Sequence, residues 1–336
     1  MIISFITMII SFLSSFFITP FVSKFAVKNK ILDHPNIRKV HKIPIPSIGG
    51  ISIVFSFYLG IFLVFGFSFI TFIFIIPSIF IVIAGILDDV LLVNPIIKLL
   101  LQFIASIIFI FLNHDNIFVF LNFQGYLFFL NYISILIWLI GTSNAVNLID
   151  GLDGLAAGVS FISSLTLGII CLLTANNNYA IISFLLSFSI LGFIKYNFYP
   201  AKIFMGDTGA LFLGFILGEL SILGTLKGAT FISFILPVLI LGIPIFDTFW
   251  SIVRRLVSKD SIINADKKHL HHRLIKIGFT HKQTVLFIYY LSAILGVTAI
   301  LIRSFNILES IFLFAIICFI LFLLLYKMGL FKNNFN

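Results

Sequence analysis

Long apolar runs, separated by short polar stretches, make up most of this chain. Eleven such runs can be marked, at about 2–23, 49–66, 69–87, 95–112, 126–143, 155–174, 179–195, 208–224, 228–249, 284–302 and 306–326. A run of roughly 20 apolar residues is long enough to cross the hydrocarbon core of a bilayer as a helix. Alternation of period two is absent, and lipid tolerates no unpaired backbone, so each run is read as a helix. The expectation is an all-α polytopic membrane protein with about 11 transmembrane helices. The first run, which has neither a basic start nor a small-residue cleavage site, is read as a span and not as a signal peptide.

Composition supports lipid as the main solvent. Hydrophobic residues are 61% of the 336 and charged residues 10%, too few to cover a soluble domain of this size. The 44 Phe read as lipid-facing filler. Cys171 and Cys318 both fall inside apolar runs, which argues against a disulfide framework or a Cys-based metal site.

Charge sets the orientation. With the N-terminus outside, 19 of the 21 Lys and Arg fall in inner loops or at inner helix ends, and only Lys227 and Arg303 fall outside. An odd number of spans then puts the C-terminus in the cytoplasm. Topology and anionic lipid or substrate account for the net charge of +9, so no nucleic-acid partner is required.

Five inner segments hold almost all the acids, histidines and amides. The first runs from Asp33 through Arg38, Lys39, His41 and Lys42 to Gly49-Gly50. It is either an ordinary positive-inside flank or an anion cradle whose glycines permit close backbone approach. The second is Asp88-Asp89 at the end of the third run. Adjacent carboxylates at a membrane boundary repel one another and invite a proton or a cation. The third, Asn144 to Gly158, contains Asn147, Asp150 and Asp153 among glycines. As a helix it would put Asp150 and Asp153 on one face; as a broken helix it would expose backbone N–H groups to an anion. The fourth contains Met205-Gly206-Asp207-Thr208, where Asp207 or Thr208 could cap the next helix and also bind metal. The fifth comprises Asp247, Arg254, Arg255 and the stretch around His269, His271, His272 and Arg273. Its basic flanks suit a phosphate clamp better than a zinc site. Each segment has a bland reading as a solvated loop, but their shared placement on one face favours a phosphate and metal site there.

At the third segment the chain resembles a known family, the polyprenyl-phosphate N-acetylhexosamine-1-phosphate transferases, and in particular the bacterial WecA/TagO branch that makes undecaprenyl-diphospho-GlcNAc. The carrying motifs are RKVHKIPIPSIGG, GILDD, NAVNLIDGLDGLAAG, KIFMGDTGALFLG and ADKKHLHHRL, and the likeness spans essentially the whole chain. The related pentapeptide-carrying branch has three consecutive histidines, where this chain has His-Leu-His-His. Ser47 and Ile262 depart from the branch, which often has Arg and Pro there.

The resemblance implies one integral-membrane domain over 1–336, in the bacterial cytoplasmic membrane. Its cytoplasmic active-site loops would be at about 24–48, 85–95, 144–154, 196–207 and 250–283. It implies that Asp88 and Asp89 handle the polyprenyl phosphate, that Asn147, Asp150 and Asp153 belong to the nucleotide and metal site, and that Asp207 is the principal Mg²⁺ ligand. Lys42, His269, His271 and His272 would bind the diphosphate. Mn²⁺ could replace Mg²⁺, and the implied partners are undecaprenyl phosphate, a UDP-N-acetylhexosamine and membrane lipid, with room for a homodimer.

The expected reaction is attack by the lipid phosphate on the β-phosphorus of the UDP-sugar, releasing UMP. Asp207, with Asn147, would hold the metal. Lys42, Arg254 or Arg255 and the histidines would hold phosphate oxygens, and Asp88 or Asp89 would take a proton. A one-step and a covalent aspartyl-phosphate route fit equally. Rival readings are an ion-coupled transporter, for which Glu219 within the eighth run is the main pointer, an intramembrane aspartyl protease, and a scaffold.

Overall fold

A computed structural model of the chain describes residues 2–34, 43–114, 129–225, 231–258 and 269–327. The described helices are α1 (Ile2–Lys28), α2 (Gly50–Phe65), α3 (Phe69–Leu91), α4 (Pro95–Leu112), α5 (Phe129–Ile149), α6 (Leu155–Leu173) and α7 (Asn177–Asn197). They continue with α8 (Gly206–Thr225), α9 (Phe231–Ile240), α10 (Gly242–Ser258), α11 (Leu270–Lys276), α12 (His281–Ile302) and α13 (Ile307–Lys327). Eight of them are long and apolar enough to cross a membrane; α2 and the Leu308–Ile320 stretch of α13 are apolar but shorter. The all-α expectation has one small exception. Strands β1 (Leu32–Asp33) and β2 (Ile45–Pro46) pair antiparallel, with Leu32 opposite Pro46.

The centre of the bundle is α8, in which every residue from Thr208 to Thr225 is buried. A helix apolar all round belongs in an interior, and its glycines let neighbours approach closely. A Cβ on Gly214 would stand 2.4 Å from the carbonyl oxygen of Thr142 in α5. By contrast α4 and α1 are largely unburied, with Phe111 at 81% and Phe5 at 60% exposed, as side chains facing lipid would be. The buried stripe of α1 is Thr7, Ser11, Ser15 and Thr19, one residue per turn, and Thr19 Oγ1 donates to Ser52 Oγ of α2 at 2.9 Å.

The ninth apolar run is two helices, not one. Pro244 has no N–H to offer the carbonyl of Ile240 four residues before it, so the ladder breaks between α9 and α10. Ser163 Oγ of α6 donates to that freed carbonyl at 2.7 Å. The C-terminal ends of α3, α5 and α7 and the N-terminal ends of α8 and α12 meet at a single cavity, with Asp89, Asp150, Asn197, Asp207 and His281 in its wall.

Candidate active site

This cavity, of about 480 Å³, is lined by Asp88, Asp89, Asn147, Asp150, Asp153, Asp207 and His272, all expected at the site, and also by Ser47, Asn197, Phe204 and His281. Against two of these wall residues, Lys98 Nζ donates to Asp207 Oδ2 at 2.8 Å and lies 3.1 Å from Asp88 Oδ2. Two carboxylates from different helices thus converge on one ammonium. Asn94 caps α4 by accepting from Ile96 N at 3.0 Å, Pro95 opens its first turn, and Lys98 follows one turn in. One turn further, Gln102 and Asn144 exchange amide hydrogen bonds at 2.6 and 3.4 Å, tying α4 to α5.

The acidic pair divides its labour. Asp89 accepts from Asp207 N at 2.8 Å through Oδ1, and from Thr208 N at 3.0 Å and Thr208 Oγ1 at 2.6 Å through Oδ2. A carboxylate of α3 therefore supplies the N-terminal cap of α8, where the sequence pointed to Asp207 or Thr208 themselves. Both are donors to Asp89 because α3 comes close enough to reach them. A Cβ on Gly85 would stand 2.2 Å from Thr208 Cα, and Gly206, at φ +72°, has room for none beside the Asp89 carboxylate. Asp88, beside it in the same cavity wall, instead faces Lys98 Nζ.

Helix α5 stops at Ile149, and the chain turns through Asp150-Gly151-Leu152-Asp153 to Gly154, at φ +78°. The broken-helix alternative is the one observed. Asn147 Nδ2 donates to Asp207 Oδ2 at 3.3 Å, and Asp153 Oδ2 accepts from Ala201 N at 2.9 Å, pinning the segment before α8. Burial, with Asp207, Asp89 and Asp153 adding their negative charge, pushes the Asp150 carboxyl up to about 8.

The histidines are placed unequally. His272 lines the cavity. His271 is 2% exposed, and among the described residues its Nε2 has no hydrogen-bond partner; burial first, then the neighbouring His272, hold its imidazole down at about 3. His269 Nδ1 and Asp247 Oδ2 are 2.8 Å apart, and Leu270 N donates to Asp247 Oδ1 at 2.8 Å. Arg254, Arg255 and Arg273 are not in the cavity wall; Arg254 Nη2 donates to Ser251 Oγ at 3.4 Å. Lys42 and Ile262 lie outside the described residues.

A magnesium ion suits this donor set. Magnesium prefers oxygen ligands and is usually held by one or two carboxylates, with waters and substrate phosphates completing the shell. Asp88 and Asp207 offer such a pair, already converging on a cation, while among the described residues no group of three His, Cys, Asp or Glu could hold a metal unaided.

Sequence reasoning passed over Lys98 as a site residue and counted it only as inner-side charge. The available signal was a lone lysine one turn inside an otherwise apolar helix.

Carboxylates, amides and a lysine thus gather at the ends of packed apolar helices, the kind of polar cluster that suits a phosphate-handling membrane transferase. The chain matches glycosyl transferase family 4 over residues 71–225. It is 38% identical over 337 residues, 98% of its own length and 94% of the relative's, to a probable undecaprenyl-phosphate N-acetylglucosaminyl 1-phosphate transferase of Bacillus subtilis. It is 33% identical over 77% of both chains to an undecaprenyl-phosphate alpha-N-acetylglucosaminyl 1-phosphate transferase of Thermotoga maritima. A phospho-N-acetylmuramoyl-pentapeptide-transferase of Prochlorococcus marinus is 35% identical over 64% of this chain and 66% of its own. The chain belongs to glycosyl transferase family 4.

Proposed function

We propose that this protein transfers N-acetylglucosamine 1-phosphate from UDP-N-acetylglucosamine to undecaprenyl phosphate, releasing UMP and forming the lipid-linked sugar that starts an envelope glycan. The observation that carries the reading is that Asp88 and Asp207 of the cavity wall converge on Lys98, in a chain that aligns over nearly its whole length with a probable undecaprenyl-phosphate N-acetylglucosaminyl 1-phosphate transferase. The pentapeptide alternative is weaker, since that relative aligns over less of the chain and the His-Leu-His-His run differs from three consecutive histidines.

Asp207 and Asp88, with Asn147 beside them, would hold Mg²⁺. When bound it would supply Lewis-acid stabilisation of the charge developing on the diphosphate. Lys98 neutralises the same carboxylates and stands ready for a phosphate oxygen. His272 faces the cavity as a further donor. Asp89 holds the start of α8, and through it Asp207, in place. Asp88 is the better candidate for taking the remaining proton of the lipid phosphate; a phosphate monoester loses its second proton near pH 6, so this help is only partly needed at neutral pH. Lys42 and the arginines stay in the proposal as outer phosphate contacts.

The membrane reading extends to one domain crossing 11 times, N-terminus outside and C-terminus inside, with the site on the cytoplasmic face. The basic-residue distribution supports it, as does the meeting of alternate helix ends at one cavity. The test is purified protein with undecaprenyl phosphate, Mg²⁺ and a panel of labelled UDP-sugars. A lipid product formed from UDP-GlcNAc together with UMP is expected, and its absence with every UDP-sugar would overturn the reading.

A further inference from the structure

The three histidines of the fifth segment differ in what holds them, and the difference leads to a residue outside the motifs. Asp247 in α10 and His269 are each 6% exposed. The two Asp247 oxygens meet two adjacent donors, the His269 imidazole through Nδ1 and the Leu270 main-chain N–H, each at 2.8 Å. Helix α11 has seven residues and no capping bond from the side chain before it. So short a helix does not hold itself, and its first N–H needs a partner. Asp247 provides that partner from another helix. Beyond the clamp, α11 sets His271 against Gly151 and puts His272 in the cavity wall, while His269 is absent from that wall.

We infer that Asp247 is a positioning residue for the phosphate side of the site, and that His269 is its latch partner and not a phosphate ligand. This rests on the proposed transferase reading for what His272 meets, but the latch itself is read from the contacts. A buried carboxylate must find hydrogen-bond donors, and with both oxygens satisfied, as here, it fixes one geometry.

Two near-isosteric variants separate latch from ligand. Asp247→Asn presents one acceptor and one donor where two N–H groups converge, so one contact is lost. His269→Asn keeps an amide N–H able to reach Asp247 while removing the imidazole. UDP binding to the detergent-solubilised full chain is measured in magnesium buffer, alongside KM for both substrates. Losing a hydrogen bond to a charged group corresponds to about tenfold or more, so Asp247→Asn is expected to weaken UDP by that factor. It should raise KM for UDP-GlcNAc similarly and leave KM for undecaprenyl phosphate unchanged. His269→Asn should bind UDP within about threefold of wild type, since the latch bond persists. Wild-type UDP affinity in Asp247→Asn, or a loss in His269→Asn as large as in Asp247→Asn, would overturn the inference. The His269→Asn result decides even where Asp247→Asn does not fold. Wild-type protein that binds UDP but makes no lipid product would overturn the transferase reading alone, because the latch is read in binding.

Discussion

The Nε2 of His271 lies 2.4 Å from the point where a Cβ on Gly151 would stand. The glycine-rich turn after α5 and the histidine helix α11, 120 residues apart in sequence, therefore fit together only because one side chain is missing. Gly151→Ala should push α11 off the turn. Overpacking of this kind costs about 1–3 kcal/mol, so a lower melting temperature and a loss of UMP release are expected together. A Gly151→Ala protein with wild-type melting and turnover would show that α11 need not sit there.

Lys98 supplies the positive charge on which Asp88 and Asp207 converge. Lys98→Met leaves two carboxylates facing each other without it, and UMP release should fall by about a hundredfold, the scale of a charge-assisted contact. Lys98→Arg keeps the charge and should retain part of the activity. Equal activity in Lys98→Met and wild type would remove the lysine from the site.

Asp88 and Asp89 should separate in two assays. Asp89→Asn weakens a cap made of three hydrogen bonds, so it should lower stability by about 1–2 kcal/mol. Asp88→Asn should leave stability unchanged and activity reduced but measurable. Asp207→Asn should be the most severe of the three for turnover. Thermal melts and UMP release on all three variants decide it; full activity in Asp207→Asn would sink the metal assignment.

Chelation offers a direct check on the metal. EDTA should abolish UMP release, added Mg²⁺ should restore it, and Mn²⁺ should substitute in part. Activity that survives EDTA would count against the oxygen cluster as a metal site.

His271 gives a pH dependence of definite sign. Its folded-state value of about 3 lies below the ordinary 6.5. Between the two, the unfolded chain binds the extra proton, so stability falls as pH drops from 6.5 toward 3 and is level above 6.5. Between about pH 7 and about pH 5 the wild type should lose roughly 2–4 °C more in melting temperature than His271→Asn. Parallel curves would mean that the imidazole is not buried neutral.

The sequence by itself determined the medium, the helices and the list of chemically able residues. Apolar runs of bilayer length leave no alternative to helices, and eight of the described helices are long and apolar enough to cross a membrane. The cavity wall likewise holds Asp88, Asp89, Asn147, Asp150, Asp153, Asp207 and His272, all marked from their motifs. What the sequence left open was the division of labour within each motif. Asp88 and Asp89 are neighbours of one chemistry, and only the approach of α8 made Asp89 a helix cap and left Asp88 to face Lys98. His269, His271 and His272 read alike in sequence, yet one is held by Asp247, one is buried against Gly151 and one faces the cavity. Lys98 read as topology until α3 and α8 brought two carboxylates to it. Hydrophobic length is a local property and survives in a linear reading. Which oxygen meets which N–H depends on contacts such as that between Asp89 and Thr208, 119 positions apart, and tertiary packing alone sets those.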